Sequence, residues 1–310
     1  MDLCEDESRY QKYAMKISVV MTTYNGARYL EAQIESLLNQ SLLPDEIIVC
    51  DDCSTDSTIS ILNRYQIAGR LIYYINDHQL GLIRNFKKAV ALANKSNYVA
   101  LCDQDDIWLP DKLEKCATLL EKMDSNLPNM VHSDLMLVNE NNHLLNKSFR
   151  NEFGQDKYLH NLESLLFGNF VTGCTIVMNP QLRTFFSEIP ADIQFHDSWI
   201  ALAAFSFGLV REVPEALIRY RKHDTNLSIA PRTKPRNRYR STLLQIFAYL
   251  RGNDDFLRDR LNSVQLFYNT YGNQLTEDKK KVFKQFLSLK GRSYFLKKLA
   301  YRRMVNHFRL

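Results

Sequence analysis

The chain has 310 residues, is 45% hydrophobic and carries a formal net charge of +5. That size suits one large α/β domain, or one domain with an appendage, and ordinary charge with plentiful aromatics excludes disorder. No uninterrupted apolar run reaches the roughly 18 residues of a membrane span; the longest candidate, Trp199 to Val210, has twelve.

Ile17–Met21 predicts a strand. It is too short and too far from the start for a signal peptide, so a cytoplasmic protein is expected. Tyr29–Leu38 has helical spacing, Glu46–Cys50 reads as a second strand and Thr55–Tyr65 as a helix, with Ser54 and Asp56 placed to cap it. Leu71–Ile75 is a third strand, Gly81–Asn94 a helix, Tyr98–Cys102 a fourth strand and Asp111–Met123 a helix. This alternation predicts a parallel, doubly wound sheet. The rhythm then breaks. Val131–Val138 and Leu144–Leu145 flank "NENN" like a hairpin, and Thr172–Met178 reads as a strand. Asp197–Phe207 reads as a helix, and Val210–Val213 and Leu217–Arg221 as short strands, so the second half is a mixed sheet. The basic, proline-containing stretch 230–240 reads as a linker, with helices beyond it. The expected division is a catalytic domain over 1–230, with a nucleotide-binding half near 16–125 and an acceptor half near 126–230, and a basic helical region over 231–310.

Charge is unevenly distributed. The last 80 residues hold 19 Lys and Arg against 5 Asp and Glu, whereas the first 230 hold 21 against 30. An acidic body suits a cation and a basic tail suits phosphate. The six cysteines are scattered; Cys50 and Cys53 form one CxxC with no second pair for a zinc site, so reduced thiols are expected.

In open parallel sheets the ligand lies beyond the carboxyl ends of the strands. Four strands here lead into polar loops: Thr22-Thr23-Tyr24-Asn25-Gly26, Asp51 to Asp56, Asn76 to Asn85, and Asp103-Gln104-Asp105-Asp106. No GxGxxG or GxxxxGK[ST] occurs, so a nucleotide would be held by other means. Asp52 can accept from a base and Tyr24 can stack on one; Asp52 can equally cap the next helix. In an extended segment Asp103 and Asp105 point the same way, and their charges repel unless a cation lies between them. Oxygen ligands of this kind favour Mg²⁺ or Mn²⁺ on a diphosphate. The alternative is a solvated acidic loop.

The stretches "ISVVMTTYNGARYLEAQIESLLNQ", "EIIVCDDCSTDST", "GLIRNFKKA" and "YVALCDQDDIWLPDKL" together resemble glycosyltransferase family 2, over about residues 16–225. The resemblance implies the nucleotide-diphospho-sugar transferase (GT-A) fold, with a C-terminal helical appendage added by this chain, and an inverting transfer. It implies that Asp103 and Asp105 serve donor ribose and metal, with Asp106 in support. It implies that Thr23, Tyr24 and Asp52, with Asn25 beside them, hold the base, and that Arg84 lies near base or diphosphate. Cys53 departs from the glycine common there, which puts the turn after the second strand in question.

"NFVTGCTIVMN", "FHDSWIALAA" and "YRKHDTNLS" resemble the bacterial rhamnosyltransferase-like branch, which builds capsule, O-antigen or wall polysaccharide. That implies dTDP-rhamnose or a UDP-sugar as donor and a lipid-linked oligosaccharide as acceptor. Asp197 matches the family's base, although alone it reads equally as a helix cap; His196 would orient it. His223 would reach metal or diphosphate, or be structural. Gly173, Cys174 and Thr175 match the acceptor side, where a small residue permits close backbone approach. Arg219 and Arg221 share a strand face and could counter phosphate charge. Trp108 and Trp199 are sugar platforms or core. In the tail, Leu296, Ala300, Met304 and Phe308 recur at i+4 among Lys297, Lys298, Arg302 and Arg303. This basic amphipathic helix would rest on an anionic membrane, or pack as an ordinary surface helix. No nucleic-acid-binding motif accompanies it. The rival readings are a UDP-hexose or N-acetylhexosamine transferase of the same fold, and a non-catalytic sugar-nucleotide binder.

Overall fold

A computed structural model describes residues 15–157, 159–191, 193, 196–223 and 256–306. The linker at 230–240 and Phe308 lie outside them. The chain forms two compact units: residues up to Glu152 with Val171–Arg221, and Phe153–Phe170 with Lys222–Leu310.

In the first unit, β1 (Ile17–Thr23), α1 (Ala27–Leu38), β2 (Glu46–Asp51), α2 (Thr58–Ile67), β3 (Ile72–Ile75), α3 (Leu82–Leu92) and β4 (Tyr98–Cys102) follow the alternation. β5 (Ile107–Trp108), α4 (Lys112–Leu120), β6 (Asn129–Val138), β7 (Leu144–Asn146) and α5 (Phe149–Phe153) come next. After α6 (Leu162–Phe167), which lies in the second unit, come β8 (Val177–Met178), α7 (Pro180–Ser187), α8 (His196–Phe207) and β9 (Leu209–Arg221). One sheet runs β3-β2-β1-β4-β8-β6-β9-β5, with β7 on β6. β3, β2, β1 and β4 are parallel, whereas β8 runs antiparallel to both β4 and β6. All seven residues of β1 are buried. Such a strand needs cover on both faces, and its middle is the apolar run Val19–Met21. Between β1 and β4 the order reverses direction, the position where an open sheet leaves a crevice.

Two expectations change. Thr172–Met178 is mostly a turn: Thr175 and Ile176 N–H groups donate back to Thr172 and Gly173 carbonyls at 2.9 and 3.0 Å, leaving only Val177–Met178 as strand. The two short strands 210–213 and 217–221 are one strand, β9, with an irregular register opposite Ser133 and Asp134. Pro214 lies in that irregularity; without an N–H it cannot continue the ladder, and a bulge absorbs it. Gly208 joins α8 to β9 where a Cβ would stand 1.5 Å from the Pro128 carbonyl oxygen, so no larger residue fits.

The second unit is helical: α6, α9 (Arg258–Tyr271), α10 (Glu277–Leu287) and α11 (Tyr294–Asn306). Leu165, Leu166, Leu261, Val264, Phe267, Phe283 and Phe286 are buried, with Phe267 stacked on Phe283 and Phe167 edge-on to Phe286. The face of α11 is turned from the one the spacing predicts. Lys297 and Met304 are buried, while Phe295 and Leu296 stand 70% and 44% exposed. Among the described residues no helix is long and apolar enough to cross a membrane.

Candidate active site

The loops after β1, β2 and β4 are tied together by side chains acting on backbone N–H groups. Asn25 N–H donates to Ser54 Oγ, Gly26 N–H to Thr58 Oγ1 and Ala27 N–H to Asp56 Oδ2, at 2.8, 2.9 and 3.1 Å. The free N–H groups opening α1 are therefore capped by the β2 loop rather than by their own side chains. Tyr24 is clasped from the other side. Gln104 Oε1 accepts its N–H at 2.8 Å, and Gln104 Nε2 donates to its carbonyl at 3.1 Å. The ring of Tyr24 stays 48% exposed, open to stacking.

Thr23 and Asp52 turn inward instead. The Thr23 hydroxyl donates to Asp51 at 2.7 Å. Asp52 accepts from Asn76 Nδ2 and from the Leu80 and Gly81 N–H groups at 2.8, 2.7 and 2.9 Å, bracing the loop into α3. Both brace the loops beyond β1 and β2, and their polar atoms already have partners. Asn25 is exposed, with its Oδ1 accepting from the Thr55 N–H. Arg84 stands exposed in the first turn of α3. Cys53 adopts φ +67°, the left-handed region that glycine prefers, so the departure at this position keeps the turn at some strain. The described cysteines are free thiols.

The acidic segment after β4 is bent rather than extended. Asp103, Asp106 and Cys174 converge, with ligand atoms within 4.8 Å of one another. Burial, then the charges of Asp105 and Asp197, push the Asp103 carboxyl up to about 7. Asp106 is fully buried; Oδ1 accepts the Arg221 N–H at 3.1 Å, and burial raises its carboxyl well above the usual range. Arg221 does not face phosphate. It is buried, and Nε and Nη1 donate to the Asp105 and Glu140 carbonyls at 2.9 and 2.7 Å. Asp105 and Asp103 are half-buried neighbours whose like charges raise Asp103. The Asp103 and Asp106 carboxylates, which converge with Cys174, are hard oxygen donors of the kind that Mg²⁺ or Mn²⁺ takes.

Asp197 sits in the first turn of α8, where Oδ2 accepts the Gly173 N–H at 3.2 Å. A Cβ at Gly173 would stand 2.9 Å from His196 Nε2, so glycine is what lets this backbone approach α8. His196 does not bond Asp197: its ring is buried against Phe86 and Phe186, and both nitrogens lack hydrogen-bond partners among the described residues. Burial lowers its pKa to about 4. Cys174 and Thr175 are buried, the latter's hydroxyl donating to the Thr172 carbonyl at 2.7 Å. Trp199 and Trp108 are 1% and 2% exposed, so both are core, and neither offers a face to a sugar. His223, half-buried, follows β9 and belongs to the second unit.

Sequence reasoning missed Gln104 and the loop role of Arg221.

A parallel half-sheet continued by antiparallel strands, with carboxylates at the reversal point, defines a nucleotide-diphospho-sugar transferase of the GT-A fold. The family model described as glycosyl transferase family 2 matches residues 18–179. The chain belongs to that family and is a glycosyltransferase. It is 31% identical over 221 residues to a putative teichuronic acid biosynthesis glycosyltransferase, TuaG, of Bacillus subtilis, covering 68% of this chain and 81% of that protein. Among solved structures it is similar to S. aureus TarS in complex with UDP-GlcNAc: TM-score 0.58, 19% identity, 95% of this chain and 90% of that one. It is also similar to the mannosyltransferase PcManGT of Pyrobaculum calidifontis in complex with GDP-Man and Mn²⁺: TM-score 0.53, 16% identity, 97% and 87% covered.

Proposed function

We propose that this glycosyltransferase moves a sugar, with inversion, from a nucleotide-diphosphate donor to a carbohydrate acceptor in surface polysaccharide synthesis. One observation carries the reading: Asp197, at the start of α8, accepts the Gly173 N–H at 3.2 Å, and the next residue, Cys174, brings its thiol within 4.8 Å of the Asp103 and Asp106 carboxylates of the β4 loop. That geometry supports a base and donor carboxylates on one crevice.

On the donor side, Tyr24 stacks on the base, Arg84 approaches base or diphosphate, and Asp103 takes the ribose. Thr23, Asn25 and Asp52 hold the loops that frame them. Asp105, with Asp106 in support, would hold Mg²⁺ or Mn²⁺, which when bound would neutralise charge on the departing diphosphate. Asp197 accepts the acceptor hydroxyl proton as that oxygen bonds the anomeric carbon and the carbon–diphosphate bond breaks on the opposite face. The Gly173 N–H holds the carboxylate in place. The chain's resemblance to TuaG supports a polysaccharide acceptor, which we take to be lipid-linked.

For the sugar we propose dTDP-rhamnose, supported by the likeness of residues 169–179, 195–204 and 220–228 to rhamnosyltransferase-like members. The fold shared with TarS favours a UDP-N-acetylhexosamine as the second reading. Incubating the enzyme with dTDP-rhamnose or UDP-GlcNAc and a lipid-linked oligosaccharide, and following nucleotide release, separates the two. In the same assay Asp197→Asn is expected to lower kcat by about 10³-fold or more while donor affinity stays within twofold. Unchanged turnover would remove Asp197 as base.

A further inference from the structure

Gln104 stands between Asp103 and Asp105, yet its amide reaches across to the loop after β1. There it meets both polar groups of one residue: Oε1 accepts the Tyr24 N–H at 2.8 Å, and Nε2 donates to the Tyr24 carbonyl at 3.1 Å. A backbone N–H can only donate and a carbonyl can only accept, so the two bonds fix which way the amide points. A glutamate would lack the donor, and an asparagine would be one methylene short. Room for the amide comes from Gly26. A Cβ at Gly26 would stand 2.2 Å from Gln104 Oε1 and 2.4 Å from its Cδ. Gly26 has φ −100°, open to any residue, so its own backbone does not call for glycine; the neighbouring amide does.

We propose that Gln104 is a positioning residue for the donor base: it presets the Tyr24 ring, and Gly26 is glycine to admit it. The amide holds the peptide groups on both sides of Tyr24. That sets the direction of the Cα–Cβ bond, and with it the exposed ring, before a nucleotide arrives. The next two N–H groups, of Asn25 and Gly26, are held by Ser54 and Thr58 from the β2 loop. Tyr24 is thus braced from the β4 side and its two successors from the β2 side. A ring ordered in advance loses less freedom on binding. One side chain of the acidic segment therefore connects Asp103 and Asp105 to the ring that takes the base.

The positioning role rests on the stacking reading of Tyr24 above; the contact between Gln104 and Gly26 does not. The test uses the full chain and the variants Gln104→Ala, Gly26→Ala, their combination, and Tyr24→Ala. UDP and dTDP are titrated with and without Mn²⁺, and melting temperatures are recorded. Gln104→Ala is expected to weaken the nucleotide that the wild type binds by about fivefold or more. Loss of two hydrogen bonds at the surface should lower the melting temperature by only about 2–4 °C. Gly26→Ala should weaken binding to a similar degree, because its methyl drives the amide out. In the Gln104→Ala background that methyl takes the vacated space, so the double variant should bind within about twofold of Gln104→Ala.

Wild-type affinity in Gln104→Ala, beside a lowered melting temperature, would make the clasp structural only and overturn the positioning role. Losses that add in the double variant would overturn the account of Gly26. If Gly26→Ala fails to fold, a folded double variant supports the contact and an unfolded one overturns it. Tyr24→Ala separates the inference from the reading beneath it, with about tenfold weaker binding expected. If Tyr24→Ala binds as the wild type does, or the wild type binds neither nucleotide, the stacking reading falls and the positioning role falls with it. The melting temperatures of the Gln104 and Gly26 variants then still decide the contact: coupled losses keep it, and additive losses discard it.

Discussion

Asp103 and Asp105 are neighbours of one sign, and the proposed reading gives the divalent ion to Asp105. Asp105→Ala is therefore expected to abolish metal-dependent turnover while the circular dichroism spectrum stays native; turnover at the wild-type level would refute the role. A second expectation concerns pH. Below 6.5 an unfolded chain protonates His196, whereas the folded chain refuses that proton until about 4. Stability should fall as pH drops through this window, by about 3 kcal/mol in all. His196→Phe, a ring of similar size among Phe86 and Phe186, should flatten the slope in denaturant titrations at pH 4.5 and 7; an unchanged slope would place the effect elsewhere. Cys53→Gly should stabilise by about 1 kcal/mol, since φ +67° favours glycine. At this scale the sequence offered the acids and Asp197 as candidates, because their types and spacing suit the proposed chemistry. It hid the inward turn of Thr23 and Asp52 and the clasp of Gln104 on Tyr24. Those depend on which backbone N–H groups lack partners, and only the fold decides that.

Elements were legible where one period dominated. β1, β2 and β4 are short apolar runs, and α1 and α3 have clear stripes, so their placement followed from pattern. β5, with two residues, has too little pattern to read. β9 misled because Pro214 interrupts a strand that a bulge allows to continue. The turn at Gly173–Thr175 misled because β-branched neighbours suit a strand while the backbone folds back for the approach to α8. Gly208 offers the sharpest test at this scale. Gly208→Ala forces a Cβ onto the Pro128 carbonyl, a backbone atom that cannot step aside. A loss of about 3 kcal/mol or more, or failure to fold, is expected in chemical denaturation; wild-type stability would mean that the α8–β9 corner shifts freely. On α11, Phe295 and Leu296 are exposed beside Lys298, Arg302 and Arg303, and the proposal that this helix rests on an anionic membrane can be tested there. Co-sedimentation with phosphatidylglycerol vesicles should drop in Phe295→Ser/Leu296→Ser. Equal binding by that variant would assign this helix to packing alone.

Across the whole molecule, charge and architecture divide the same way: an acidic sheet unit carries the carboxylates, and a helical unit holds most of the basic tail. The fold class was open to sequence reasoning because alternation, acidic strand ends and family stretches all agreed. The membership of 153–170 in the helical unit was not, since α6 buries only a few residues and offers no period of its own. The account as a whole depends on the β4 carboxylates presenting a divalent ion to a nucleotide diphosphate. Thermal melting with dTDP- and UDP-sugars, with and without Mn²⁺, tests that most directly. A stabilising shift that needs both sugar nucleotide and metal, and vanishes in Asp105→Asn, is the expected result. A shift that is equal without metal, or that survives Asp105→Asn intact, would contradict it.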